Sequence, residues 1–277
     1  MHKHWRLNEY KVLLYRILLA YVFYFLARIL FYLFHAGLLK VESVSDFVAL
    51  CYHGIPFDTT AILYVNILFI VFSILPIRKS TTSGYQKFLF YLYFIPNLLA
   101  YSTNFVDLIY YRYTYARTTT AVMNVIEHES NMGKLFLSFI VDFWYVFVLF
   151  FVFAAAWIYL YRRIRLKVSE NQYENKLYYF GFSTIGFLFI VAMIIGGIRG
   201  GDFKKSTRPI NLLDASRHVK NIVHSDIVLN TPFAIIRTLF TNSFVKPNYP
   251  GISEQLILEK VMPVKQYHNN PSTKPNV

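Results

Sequence analysis

Residues 135–161 contain "LFLSFIVDFWYVFVLFFVFAAAWIYL", a run whose single charge is Asp142. At 1.5 Å of rise per residue, about 20 apolar residues in a helix cross a hydrocarbon core of about 30 Å. Inside lipid every backbone N–H and C=O must be satisfied within the segment, so a run of this kind folds as a helix. Four more stretches meet the same condition, at 12–39, 59–77, 88–111 and 177–198. The second is uncharged and bounded by Asp58 and Arg78. The first is too long and too interrupted for a cleavable leader. The sequence therefore predicts an all-α polytopic membrane protein with five transmembrane helices.

Composition agrees. Charged residues make up 16% of the chain, against about 25% in soluble domains. The net charge of +13 raises the question of nucleic acid, and its distribution answers it. With the N-terminus inside, the inner segments hold eleven Lys and Arg, among them Arg78, Lys79, Arg162 and Arg163. The outer loops hold four: Lys40, Arg112, Arg117 and Lys134. This bias orients the chain N-in and C-out and assigns the basic excess to inner-leaflet phospholipid, with no role in binding nucleic acid. Cys51, the single cysteine, excludes an internal disulfide and a Cys-based zinc site.

Three regions follow: a basic cytoplasmic head at 1–11, the five-helix domain at 12–198, and an extracytoplasmic linker at 199–277. The change comes at "GGIRGGDFKKSTRP", whose glycines and Pro209 read as a flexible exit from the membrane. Beyond it Leu212, Leu213, Ala215, Val219 and Ile222 fall near helical spacing. In "NTPFAIIRTLF", Thr231 reads as an N-cap and Pro232 as the first helical position. These amphipathic helices are expected to lie against the membrane face or a larger body. No internal repeat stands out, which counts against an inverted-repeat transporter.

Ionisable groups inside apolar helices need a reason. Counted at 1.5 Å per residue, Arg28 lies about 16 Å below the outer end of its helix, Asp142 about 10 Å and Asp107 about 6 Å. All three occupy the outer half, so the expectation is a polar cluster with an Arg28–Asp142 or Arg28–Asp107 pair. Such a pair fixes helix order, or it holds a lipid head group. The loop "NFVDLIYYRYTYARTTTAVMNVIEHESNMGK" adds Tyr111, Arg112, Tyr113 and Arg117. Arginine binds phosphate through bidentate, charge-assisted hydrogen bonds, so these four are the candidate contacts for a lipid head group. An ordinary solvated loop with interfacial tyrosines is the competing reading.

Metal binding finds little support. Successive residues of a helix point about 100° apart, so Glu127, His128 and Glu129 converge poorly. "HKH" at 2–4 lies in the basic head, and His35, His53, His218 and His224 are scattered. No nucleophile elbow, phosphate loop, zinc-protease motif or dinucleotide fingerprint is present. No catalytic or metal residue is assigned, and no cofactor is assigned to this chain.

Five helices, N-in and C-out, an amphipathic linker and a closing "KPNV" resemble the lipoteichoic acid synthase and phosphoglycerol transferase family of the alkaline phosphatase–sulfatase superfamily. The stretches "GIPFDTTAILYVN", "NFVDLIYYRYTYARTT" and "VLNTPFAIIRTLF" carry the likeness. They are more similar to envelope-modifying members of Gram-negative bacteria than to the polymerising Gram-positive synthases. The resemblance implies that "KPNV" opens the first strand of an extracytoplasmic catalytic domain, so the sequence reads as interrupted at Val277. That domain would carry a threonine nucleophile and a divalent metal, Mn or Mg, and would move phosphoglycerol or phosphoethanolamine from a phospholipid donor. This chain would supply the anchor in the cytoplasmic (inner) membrane, the approach to the lipid and the linker. The alternatives are a stand-alone polytopic protein such as a small transporter, and a partner subunit that recruits a separate catalytic chain.

Overall fold

A computed structural model describes residues 7–75, 77, 80, 82–122, 138–164, 176–199 and 208–239, and these are helical with no strand among them. Five long helices run through the apolar region: α1 Leu7–Leu39, α2 Val44–Ile74, α3 Ser83–Thr114, α4 Trp144–Arg163 and α5 Lys176–Ile198. Four of them are long and apolar enough to cross a membrane, over Asn8–Leu39, Val44–Ile74, Trp144–Arg163 and Phe180–Ile198. At 32 residues α3 matches α1 and α2 in length, but Asn97, Asn104, Asp107 and its tyrosines make it less apolar.

The largest departure from the expected boundaries is the start of α2. The charge at Asp58 marks the edge of the second span in the sequence, yet the helix begins at Val44 and carries Asp58 in its interior. A buried charge paired with an opposite one does not end a helix, and Asp58 is paired. Ser43 supplies the start: its hydroxyl accepts from the Asp46 N–H at 3.1 Å and donates to the Asp46 carboxylate at 2.6 Å. Lys40, at φ 44, turns the chain out of α1, and the short connection makes α1 and α2 an antiparallel pair. Tyr115, at φ 52, closes α3 with its N–H on the Tyr111 carbonyl.

Helices α1, α2 and α3 pack on one another, α4 lies against α1 and α3, and α5 lies against α2. In lipid such contacts are held by close packing and interhelical hydrogen bonds. Trp157 of α4, fully buried, stacks on Phe23 of α1 with ring centroids 4.5 Å apart. Tyr101 of α3 meets that indole edge-on at 5.2 Å. Asn66 of α2 and Asn97 of α3 exchange two hydrogen bonds, at 3.1 and 2.7 Å.

The linker runs from a surface stretch, where Leu213 and Ile222 are exposed, into the bundle. After two 3-10 turns, Leu212–His218 and Ile222–His224, come the short helices α6 Ser225–Val228 and α7 Thr231–Thr238. Ile227, Val228, Asn230, Thr231, Phe233 and Ala234 are all buried, against α1, α2 and α3. Helix α7 starts one residue earlier than its sequence suggests. Asn230 is the N-cap, its side-chain oxygen accepting from the Phe233 N–H at 2.8 Å; Thr231 is thereby released for a tertiary bond. Everything described belongs to the compact unit Met1–Thr241, and residues 242–277 form a second unit outside the described residues.

Candidate functional site: a linker dock at the end of the bundle

The linker enters the bundle as a polar turn between two buried charge pairs. Helix α6 has four residues, so none of its last carbonyls has a partner within the helix. Two arginines supply the donors. Arg28 of α1 gives Nε–H to the Ile227 carbonyl at 2.8 Å and Nη2–H to that of Val228 at 3.2 Å. Arg117, just past α3, gives Nε–H to the Asp226 carbonyl at 2.8 Å and Nη2–H to that of Leu229 at 3.0 Å. Four successive linker carbonyls are thus capped by two guanidinium groups.

Each arginine meets an aspartate. Arg28 and Asp58 form a bidentate pair at 2.6 and 2.7 Å, with both side chains almost fully buried. The Asn230 amide donates to the same carboxylate at 2.7 Å. Gly54, one turn before Asp58, leaves room for the guanidinium, since a Cβ there would sit 2.6 Å from the Arg28 Cζ. Asp107 accepts from the Thr118 N–H at 3.0 Å, the Thr118 hydroxyl, the Thr231 hydroxyl at 2.5 Å and Arg117 at 3.4 Å. Arg117 also lies over the Phe31 ring, 3.4 Å from its centroid. Asn104 completes the seat by accepting from the Thr231 N–H at 3.3 Å.

The pairing expected for Arg28 is therefore corrected. Its partner is Asp58; Asp107 belongs to Arg117. Asp142 is exposed, in the helical turn 138–142 that precedes α4, and takes no part in the dock. The four head-group candidates also separate. Arg117 is buried and its guanidinium is committed to the linker and Asp107; Tyr111 is buried, its hydroxyl donating to the Asp226 carboxylate at 2.9 Å. Arg112 and Tyr113 are exposed at the end of α3. Glu127, His128, Glu129 and "HKH" lie outside the described residues. Among the described residues no group of three or more His, Cys, Asp or Glu is placed to hold a metal ion.

Asp58, Gly54, Asn104, Thr118, Asn230 and Thr231 were not among the candidates from sequence. One signal was available: Gly54 and Asp58 stand four apart on α2, where a small residue beside a carboxylate makes a flat seat for a guanidinium.

Charges so deeply placed are costly to desolvate, and their attraction repays that only when the remaining donors and acceptors are also satisfied. Here every carboxylate oxygen of Asp58 and Asp107 has at least one donor, and the formal charge of the two pairs is zero. The arrangement offers no free nucleophile; its chemistry is that of a lock. Burial raises the affinity of the Asp226 carboxyl for its proton, opposed by the Tyr111 hydrogen bond and the Arg117 charge. Comparison of the chain with protein-family models, curated proteins and solved structures finds no match.

Proposed function

We propose that this chain is the membrane anchor and linker of a sulfatase-like transferase that moves phosphoglycerol or phosphoethanolamine from a phospholipid donor during cell-envelope modification. On this reading α1 to α5 all cross the cytoplasmic (inner) membrane, N-in and C-out, with α3 tolerated in lipid because its polar groups face protein. The linker dock carries the proposal. A polytopic anchor that grips its own linker through two buried charge pairs and four carbonyls is built to fix the start of that linker against the bundle. The divalent metal and the threonine nucleophile would belong to that following domain.

Of the head-group candidates, Arg112 and Tyr113 remain exposed for a donor lipid, while Arg117 and Tyr111 serve the dock. A stand-alone transporter draws less support, because Arg28 and Asp107, two of the three charged groups that would line its path, are hydrogen-bonded within the dock and covered by the linker.

The test is to purify the native protein from its own membrane, weigh it intact, and assay transfer from head-group-labelled phosphatidylglycerol and phosphatidylethanolamine. The expected result is a mass well above 32.6 kDa with transfer abolished by chelator. A native mass near that value, with no transfer, overturns the proposal.

A further inference from the structure

Helix α3 turns a polar face inward. Tyr93, Asn97, Tyr101, Asn104 and Asp107, three or four residues apart, are all buried. The middle of this seam is closed. Besides its exchange with Asn66, Asn97 donates to the Tyr93 carbonyl at 2.7 Å. The Tyr93 hydroxyl donates to the Arg16 carbonyl at 2.8 Å and accepts from the Trp157 indole at 3.1 Å.

The two sides of that middle differ from it. Towards the linker, the Tyr24 and Tyr101 hydroxyls and Asn104 Nδ2 are buried with no hydrogen-bond partner among the described residues. Tyr24 stands one helical turn before Arg28 on α1, and its neighbour Phe23 meets the Tyr101 ring edge-on at 6.0 Å. Towards the start of α1, the Tyr161 hydroxyl, Arg16 Nε and Ser80 Oγ are in the same position. Arg16 stands 4.2 Å from the Tyr161 ring centroid. Arg16 and Ser80 border a cavity of ≈ 20 Å³ whose polar lining includes Glu9 and Gln86. That volume suits one water molecule, and buried waters occupy polar sites that offer them two to four hydrogen bonds.

We propose that the bundle holds two separate internal water sites, one around Tyr24, Tyr101 and Asn104 and one around Arg16, Ser80 and Tyr161. The Asn66–Asn97 pair is the dry partition between them. The placement has two consequences. Asn104 also seats the Thr231 N–H, so the first site backs directly onto the linker turn, which meets water when it leaves the dock. The partition keeps two hydrated ends from joining into a leak through the membrane.

Hydroxyl-radical footprinting by synchrotron radiolysis tests this, because bound internal water is activated beside the residues that hold it. The full chain in nanodiscs is exposed, and tyrosine modification is read by mass spectrometry. Tyr24, Tyr101 and Tyr161 are expected to label several-fold faster than Tyr93, although all four are buried. Labelling of Tyr24 and Tyr101 as slow as that of Tyr93 overturns the linker-side site, and a silent Tyr161 overturns the other. Tyr93 labelling as fast as the rest replaces the partition with a continuous aqueous path. Asn104→Leu is expected to reduce labelling at Tyr101 and leave Tyr161 unchanged; a matching loss at Tyr161 overturns the separation of the two sites.

Discussion

The guanidinium of Arg28 and the carboxylate of Asp58 face each other in two parallel hydrogen bonds, at 2.6 and 2.7 Å, inside the helix bundle. The geometry depends on a third position that contributes no side chain. Gly54 lies under the guanidinium, and any Cβ there would stand 2.6 Å from both Cζ and Nη2 of Arg28.

Gly54→Ala is therefore expected to destabilise the protein, by about 1–3 kcal/mol as for other overpacked cores. Alanine is the better helix former by about 1 kcal/mol, so the sign distinguishes packing from propensity. Gly37 provides the control, because a Cβ there meets nothing within 4 Å. Thermal unfolding in detergent, followed by tryptophan fluorescence, should place G54A below wild type and G37A at or above it. Equal effects of the two substitutions would show that Arg28 is not held against Gly54.

The pair itself is expected to behave asymmetrically. Asp58→Ala strands the Arg28 charge in a buried site, which costs about 3–5 kcal/mol. Replacing both partners, Arg28→Met with Asp58→Leu, removes the stranded charge and is expected to recover a large part of that loss. Recovery is incomplete because the Ile227 and Val228 carbonyls then lose their donors. A double variant no more stable than D58A would mean that Asp58 is not the group that neutralises Arg28.

The five helical segments were legible from hydropathy because apolar runs of bilayer length have few other ways to fold. Charge was harder to read. A carboxylate at the edge of an apolar run looks like a span boundary, and Asp58 looked so until its partner was visible. The depth argument put Arg28 in the outer half of its helix and sought its partner among residues assigned to the membrane. It considered Asp107 and Asp142 and passed over the residue 30 positions away on the next helix. The seat of the linker was hard to read for a related reason. Spacing at Leu212 to Ile222 suggests an amphipathic helix against the membrane face or a larger body without naming the residues that receive it, whereas "NTPF" is recognised by Asp58, Asp107 and Asn104, which lie more than a hundred residues earlier. Contacts at that separation leave no local pattern.

The linker turn itself can be loosened with little change to the helices. Thr231→Val removes the hydroxyl bonded to both Asp107 and Arg117 while keeping the shape of the side chain. Leaving part of a buried carboxylate unsatisfied costs about 1–3 kcal/mol, which is roughly 5- to 150-fold in an opening equilibrium. Hydrogen exchange should accelerate by that factor at the amides of 227–234, with the amides of α4 unchanged. Acceleration shared by α4 would mean that the whole bundle had loosened and the linker was not a separate unit of opening.

The dock should also respond to pH through Asp226. Burial raises its affinity for a proton in the folded state, against the Tyr111 hydrogen bond and the Arg117 charge. In the unfolded chain the group titrates near the ordinary value of about 3.9. A carboxyl raised on folding contributes stability that is fully present below the unfolded value and is lost as pH rises through the folded one. Asp226→Asn takes away the titration while keeping an oxygen that accepts from the Tyr111 hydroxyl. The variant should melt close to wild type in acid, then gain on it as pH rises through the folded value, with the gap levelling off beyond it. Melting curves of both proteins between pH 4 and pH 8 in one detergent decide the matter. A gap that stays constant over that range, or closes as pH rises, would show that the dock does not raise the proton affinity of Asp226.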